Sequence, residues 1–319
     1  MDNEISDLKN YKLSFDGKGG TFFGIVLVNW LLTIVTLGFY HPWAKAKQLK
    51  FMYSSTSLDG DRFAFNGTGK EMFKGYIKAL AFFVLIFGVF FLLITLEQFY
   101  VAAIFFYFAL IAIFPLIIHG SYRYRMSRTS WRGIRFGYRG DRNELFSNYF
   151  KWIFFSIITL GIYGSWMEMK MRKYIIGNVR AGDVEFNYTG KGLEYFLIGL
   201  KGLVLTIITL GIYSFWFYKK LFAYYIENMY LQKNGKVIKF KSTLTAGDTF
   251  SLIVVNYLIV LFTLGIGYAW VVTRSMKLIF SKIEMEGDIE LDSIQQTEAD
   301  YNDATGEDMS SFFNIDLVI

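Results

Sequence analysis

Four tryptophan–cation pairs are the first residues in this sequence that could do chemistry: Trp43 with Lys47, Trp166 with Lys170, Trp216 with Lys220, and Trp270 with Arg274. At i and i+4 the two side chains share one helix face. An indole prefers the boundary between acyl chains and water, and a Lys or Arg can lay its stem along lipid with its charge in water. The chemistry this spacing predicts is interfacial anchoring. Seven arginines, Arg123, Arg125, Arg128, Arg132, Arg135, Arg139 and Arg142, are the densest charge in the chain. They read as candidate contacts for anionic lipid headgroups, or as a basic stop after a membrane span. Asn29 and Asn256 are polar residues inside apolar runs and candidates for lining an intramembrane path. Lys78, Lys151 and Lys201 lie near the starts of such runs and read as snorkelling cations.

Other chemistry has little to stand on. The 319 residues contain no Cys, which removes disulfides, thiol nucleophiles and Fe–S clusters. Two histidines, His41 and His119, cannot build a histidine metal cage. No Ser/His/Asp set or paired-carboxylate pocket is recognisable, so no catalytic, cofactor-binding or metal-ligating residue is assigned and an enzyme is not favoured. Gly67-Thr68-Gly69-Lys70 and Tyr188-Thr189-Gly190-Lys191 invite a phosphate-loop reading but lack its spacing, and read as turns. The excess of 33 Lys and Arg over 27 Asp and Glu is loop chemistry and does not point to nucleic acid.

The elements that carry these residues recur. Four apolar runs end in Thr36-Leu37-Gly38-Phe39-Tyr40, Thr159-Leu160-Gly161-Ile162-Tyr163, Thr209-Leu210-Gly211-Ile212-Tyr213 and Thr263-Leu264-Gly265-Ile266. The Trp follows each Thr by seven residues, and Phe23, Phe146, Phe196 and Phe250 precede it by thirteen. Such self-similarity marks internal repeats. Between the runs lie Asp59-Gly60, Gly182-Asp183, Asn234-Gly235 and Gly287-Asp288, turn dipeptides between β-formers that signal hairpins. One unit therefore reads as strand, turn, apolar helix, Thr-Leu-Gly-x-Tyr, basic helix and hairpin. The unit after Phe63 departs from this pattern and carries two long apolar runs.

Hydrophobic residues make up 54% of the chain and aromatics 20%, with a mean hydropathy of +0.34 and only 19% charged residues. The fold class expected is a membrane α-helical protein of about six spans, near 22–40, 79–96, 99–118, 146–163, 196–213 and 250–268, with short extramembranous β-hairpins between them. Residues 1–21 would form an N-terminal strand segment, 22–282 the repeat-built transmembrane domain and 283–319 an acidic hairpin and solvated tail, whose residues 312–315 could add a strand to a sheet edge. The basic residues gather in loops 41–78, 119–145 and 214–249, which alternation would place on the cytoplasmic side with both termini outside. That arrangement puts near-identical hairpins in opposite compartments. The alternative is that the shorter runs are re-entrant and every hairpin lies on one side.

Phe15-Asp16-Gly17, Asn29 and the stretch from Thr36 to Lys45, with the later Thr-Leu-Gly-Ile-Tyr copies and Phe65-Asn66-Gly67-Thr68-Gly69, resemble the YjgN-like family of bacterial inner-membrane proteins. The resemblance covers roughly residues 13–291. It implies a multi-pass protein of the bacterial inner membrane and supplies no catalytic residues. The partner expected is the lipid bilayer, including anionic lipids. The first functional reading is transport or permeation of a small solute or ion. The alternative is a non-enzymatic envelope scaffold that binds anionic lipid or protein partners.

Overall fold

The computed structural model describes residues 9–298. Ten strands and eleven helices follow one another in five successive strand–helix–helix–strand passages. The first comprises β1 (Lys9–Phe15), α1 (Gly19–Val35), α2 (His41–Ser54) and β2 (Thr56–Leu58). The second comprises β3 (Asp61–Phe65), α3 (Gly69–Thr95), α4 (Phe99–Arg128) and β4 (Thr129–Trp131). The third has β5 (Ile134–Tyr138), α5 (Arg142–Ile158), α6 (Gly164–Gly177) and β6 (Val179–Ala181). The fourth has β7 (Val184–Tyr188), α7 (Gly192–Ile208), α8 (Ser214–Glu227) and β8 (Met229–Lys233). In the fifth, β9 (Lys236–Ser242) is followed by α9 (Ala246–Phe250), a π-helical turn (Ser251–Val255), α10 (Asn256–Phe262), α11 (Tyr268–Ser281) and β10 (Ile283–Gly287).

The expectation of six spans with separate small hairpins is corrected on both counts. All ten strands join one closed antiparallel barrel, each bonded to its neighbours in chain order and β1 closing on β10 through Lys9 opposite Gly287 and Lys12 opposite Glu284. A strand of three to five residues leaves two unpaired edges, and a ring of such strands satisfies every edge at once. Simple alternation across a membrane cannot deliver all ten strands to one barrel. Among the described residues, only α3 and α4, of 27 and 30 residues, are long and apolar enough to cross a bilayer.

The other apolar runs stop short because Thr-Leu-Gly reverses the chain. Thr36 Oγ1 donates to the Leu32 carbonyl at 2.7 Å and accepts from the Tyr40 N–H at 3.0 Å. Leu37 then takes φ +50° and Gly38 φ +92°, the left-handed geometry that ends a helix. Thr159, Thr209 and Thr263 make the same pair of bonds to Phe155 and Tyr163, Leu205 and Tyr213, and Ile259 and Gly267. The motif is therefore the apex of a helical hairpin. The descending legs carry charge that no spanning helix tolerates, such as Lys45, Lys47 and Lys50 in α2 or Glu168, Lys170, Arg172 and Lys173 in α6.

Each helix packs against its neighbours in chain order and α11 returns to α1, so the hairpins also close a circle. The turn before α3 explains its Gly-Thr-Gly-Lys run: Thr68 and Glu71 form a reciprocal capping box. Below the hairpins, every strand contributes to one apolar cluster, among them Tyr11, Leu58, Trp131, Val184, Leu231, Ile238 and Met285, with Phe63, Phe136 and Ala181 against it.

The segment after β10 completes that cluster. Ile289 and Leu291 are buried in it and Ile294 packs against it. The Tyr11 hydroxyl donates to the Ile289 carbonyl, Gln295 and Asp183 exchange two hydrogen bonds, and Glu298 binds Arg139. The acidic stretch expected as a hairpin and solvated tail instead gives the single strand β10, paired with β1 and β9, and is then packed onto the barrel up to residue 298, because its acids alternate with apolar residues that the barrel needs. The tail beyond it, including the strand expected at 312–315, lies outside the described residues.

Candidate functional site

Three of the four tryptophans pack one hairpin onto the next. Trp43 lies against Gly69 and the Phe73 ring, Trp166 against Gly192 and Phe196, and Trp270 against Gly19 and Phe23, so the last hairpin docks on the first. Trp216 is 48% exposed, and there Phe215 meets Phe250 instead. In the first and third hairpins the cation's hydrogen-bond partner is the apex tyrosine. Tyr40 stacks on Trp43 and accepts from Lys47 Nζ at 2.7 Å, and Tyr163 with Trp166 and Lys170 repeats the arrangement. Lys220 lies with Lys201 and Tyr213 around a small hollow of about 140 Å³.

The arginine cluster is largely spent within the fold. Arg128 pairs with Glu71, Arg132 with Asp61 and Asp292, and Arg139 with Glu298. Arg123, Arg125 and Arg135 also have interaction partners, and Arg142 opens α5. Asn29 is buried and donates to the Ala44 carbonyl at 3.2 Å, tying α1 to α2. The structure does not bring it together with Asn256, which sits in the fifth hairpin.

That fifth hairpin holds the most distinctive chemistry. Thr245 caps α9 and bonds Asp248, which also takes Lys282 Nζ at 3.0 Å. Burial alone would raise the Asp248 pKa, but the Thr245 bonds and the Lys282 ammonium outweigh it and hold the carboxyl below its ordinary value. The helix then widens into the π turn, and such turns concentrate at functional sites. Ser251 in that turn receives Arg274 twice, Nη1 on its carbonyl at 3.2 Å and Nη2 on its hydroxyl at 2.6 Å. Asn256 Oδ1 accepts from Arg274 Nη1 at 2.9 Å, and Asn256 Nδ2 donates to Ser275 Oγ at 2.8 Å.

Arg274 is thus held by three neutral acceptors, and among the described residues no carboxylate pairs with it. It lines an open cleft of about 640 Å³ together with Lys277, Lys282, Asp248, Thr273, Trp270 and Ile259, beside Gly17 of the β1–α1 connection. Three cations face one carboxylate that is already bonded. Such a cleft can receive an anion with an apolar attachment. Sequence reading found Arg274 and Asn256 but not Ser251, Lys277 or Lys282. The available signal was the departure of this unit from its siblings: Gly267 stands where three others have Tyr, and Arg where they have Lys.

A family model described as "Bacterial protein of unknown function (DUF898)" matches residues 10–188, 183–235 and 217–312. The inner membrane protein YjgN of Salmonella typhimurium is 37% identical over 142 residues, 44% of this chain and 34% of that protein. Its namesake in Escherichia coli K12 is 30% identical over 136 residues, 43% of this chain and 33% of that protein. The matched stretches cover about a third of those relatives' length. No solved structure matches the chain.

Proposed function

The chain belongs to the DUF898 family and is a bacterial inner-membrane protein, and from that premise we propose that it is a non-enzymatic membrane scaffold, holding a β-barrel against the cytoplasmic face and gathering anionic lipid around its hairpins. The hairpins would be copies of one ancestral segment. In this reading α3 and α4 cross the bilayer, and the four shorter hairpins enter one leaflet from the barrel side. No Lys or Arg occurs at the apices 36–40, 95–98, 159–163, 209–213 or 263–267, whereas the legs and barrel are rich in both. Cations kept to the barrel side favour a cytoplasmic barrel.

The observation that carries this reading is the barrel interior, filled by apolar side chains from all ten strands and covered by Ile289, Leu291 and Ile294. A solute or ion would have to pass between hairpins, and Asn29 and Asn256, the polar residues suited to such a path, are bonded within their own hairpins. The test is reconstitution in vesicles of phosphatidylethanolamine with a minority of phosphatidylglycerol. Lipid retained on the purified protein should be enriched about fivefold in phosphatidylglycerol, the size of one cation–headgroup contact, with vesicle permeability equal to that of empty vesicles. Retained lipid matching the bulk, or solute flux above the empty control, overturns it.

A further inference from the structure

We propose that the cleft where the last hairpin meets the first is a discrete site for the phosphate of an anionic phospholipid, with Arg274 as its principal donor and Lys277 as its second. The proposal rests on the lipid-binding reading above and gives it one specific address.

The guanidinium supplies the first argument. Its three bonds, to Ser251 O, Ser251 Oγ and Asn256 Oδ1, use both hydrogens of Nη1 and one of Nη2. The Nε–H and the second Nη2–H remain, two donors that match two oxygens of one phosphate. Neutral acceptors orient the cation without discharging it, and a half-buried charge without a counter-ion calls for an anion. A lysine at this position would provide a point charge without the fork.

The second argument is that the arrangement is specific to the fifth hairpin. In the first and third hairpins the cation is a lysine turned onto its own apex tyrosine. Gly267 removes that tyrosine here, and the π turn at Ser251–Val255 presents a backbone carbonyl and a hydroxyl to the arginine instead. Lys277, three residues on, lies on the same helix face and is exposed. Ile259 and Trp270 supply apolar wall beside these cations. A phosphodiester carrying acyl chains satisfies both the charge and the wall, whereas free phosphate would use only the first.

The experiment is native mass spectrometry of the full chain in detergent, titrated with dihexanoyl-phosphatidylglycerol, dihexanoyl-phosphatidylcholine and inorganic phosphate. One phosphatidylglycerol should be retained per chain, with phosphatidylcholine and inorganic phosphate each bound at least about tenfold more weakly. Arg274→Gln should weaken phosphatidylglycerol about tenfold and Lys277→Gln about fivefold. Lys201→Gln, a cation on another hairpin, should leave it unchanged. Because Arg274 also ties α11 to α10, the exposed Lys277 variant and a thermal shift by the lipid keep the test open if Arg274→Gln folds poorly. Unchanged binding in both cleft variants overturns the site, and equal binding of inorganic phosphate overturns its assignment to lipid. If bulk phosphatidylglycerol enrichment persists in the cleft variants while their binding matches wild type, the site falls and the scaffold reading stands.

Discussion

The indole of Trp270 occupies the space a Cβ on Gly19 would need: an ideal Cβ there would lie 2.4 Å from Trp270 Cδ1. This contact joins the two ends of the chain's helical circle. Gly69 against Trp43 at 2.3 Å and Gly192 against Trp166 at 2.4 Å repeat it at two further junctions. An indole is rigid, so an added methyl must push the hairpins apart. Gly19→Ala should therefore destabilise by about 1–3 kcal/mol, as overpacking does. Gly20, one residue on, has open space around its missing Cβ, and Gly20→Ala should be neutral or stabilise by up to about 1 kcal/mol through helix propensity. Thermal unfolding in detergent of the two variants checks the contrast. Equal effects would mean that the indole yields.

The cover over the barrel gives a second contrast. Ile289 is almost wholly buried among residues of the barrel, whereas Asp292 reaches Arg132 from a side chain that is 94% exposed. Ile289→Ala should cost about 2–4 kcal/mol, from lost burial and the cavity left behind. Asp292→Asn should cost less than about 1 kcal/mol, because water screens the pair. Denaturant unfolding followed by tryptophan emission, to which Trp131 in the same core contributes, measures both.

Acid should loosen this cover. Burial alone would raise the Asp183 pKa, but the Gln295 N–H and the Lys233 ammonium more than offset it, so the carboxyl lies below its ordinary value of 3.8. A carboxyl with a depressed folded pKa stabilises the folded form above its unfolded value, and loses that contribution as pH falls through the folded one. The amide of Gln295 should thus stay protected from hydrogen exchange at neutral pH and lose protection below pH 3.8. Asp183→Asn should lower protection at neutral pH and flatten its dependence on pH. A variant as protected as wild type across the range would show that Asp183 does not hold the segment.

What could be read from the chain was local, and what could not was the closure. Thr-Leu-Gly with its downstream Trp marks a recurring helix end, and Asp59-Gly60, Gly182-Asp183 and Asn234-Gly235 mark real β-turns, whereas Gly287-Asp288 ends β10 without a hairpin. The barrel leaves no such mark. Its strands are three to seven residues long, too short for alternation to register, and each pairs across its own helical hairpin with a strand distant in the chain, as Phe63 does with Trp131. The apolar first legs look like spans because composition cannot tell a helix that crosses a bilayer from one after which the chain turns back. The missing information lay in the second legs: Lys45, Lys47 and Lys50 within one short helix forbid a return crossing. The site at Arg274 depended on the π turn, for which Ser251–Val255 carries no sequence signal at all.

The lengths of the hairpins make the insertion testable residue by residue. At 1.5 Å per residue, the 27 residues of α3 rise about 40 Å and the 17 of α1 about 26 Å. The difference of about 15 Å is half of a hydrocarbon core of about 30 Å. If α3 and α4 carry Glu97 to the far aqueous face, the apices at Leu37, Leu160, Leu210 and Leu264 stop near the bilayer midplane. Those leucines are at least 90% exposed in the isolated chain and hold a left-handed φ of 48–50°, a costly place for a branched apolar residue in water. Lipid repays that cost at about 1.5–3 kcal/mol per leucine. Because the chain has no Cys, single cysteines can be placed without background. In inner-membrane vesicles and spheroplasts, an impermeant maleimide should label Glu97→Cys from the periplasmic side only, and Gly60→Cys and Gly235→Cys, both in barrel turns, from the cytoplasmic side only. Leu160→Cys and Leu210→Cys should resist it from both sides until detergent is added. Labelling of Gly60→Cys and Gly235→Cys from opposite sides would break the barrel's common compartment, and ready labelling of Leu210→Cys from the periplasm would mean that the short hairpins cross after all.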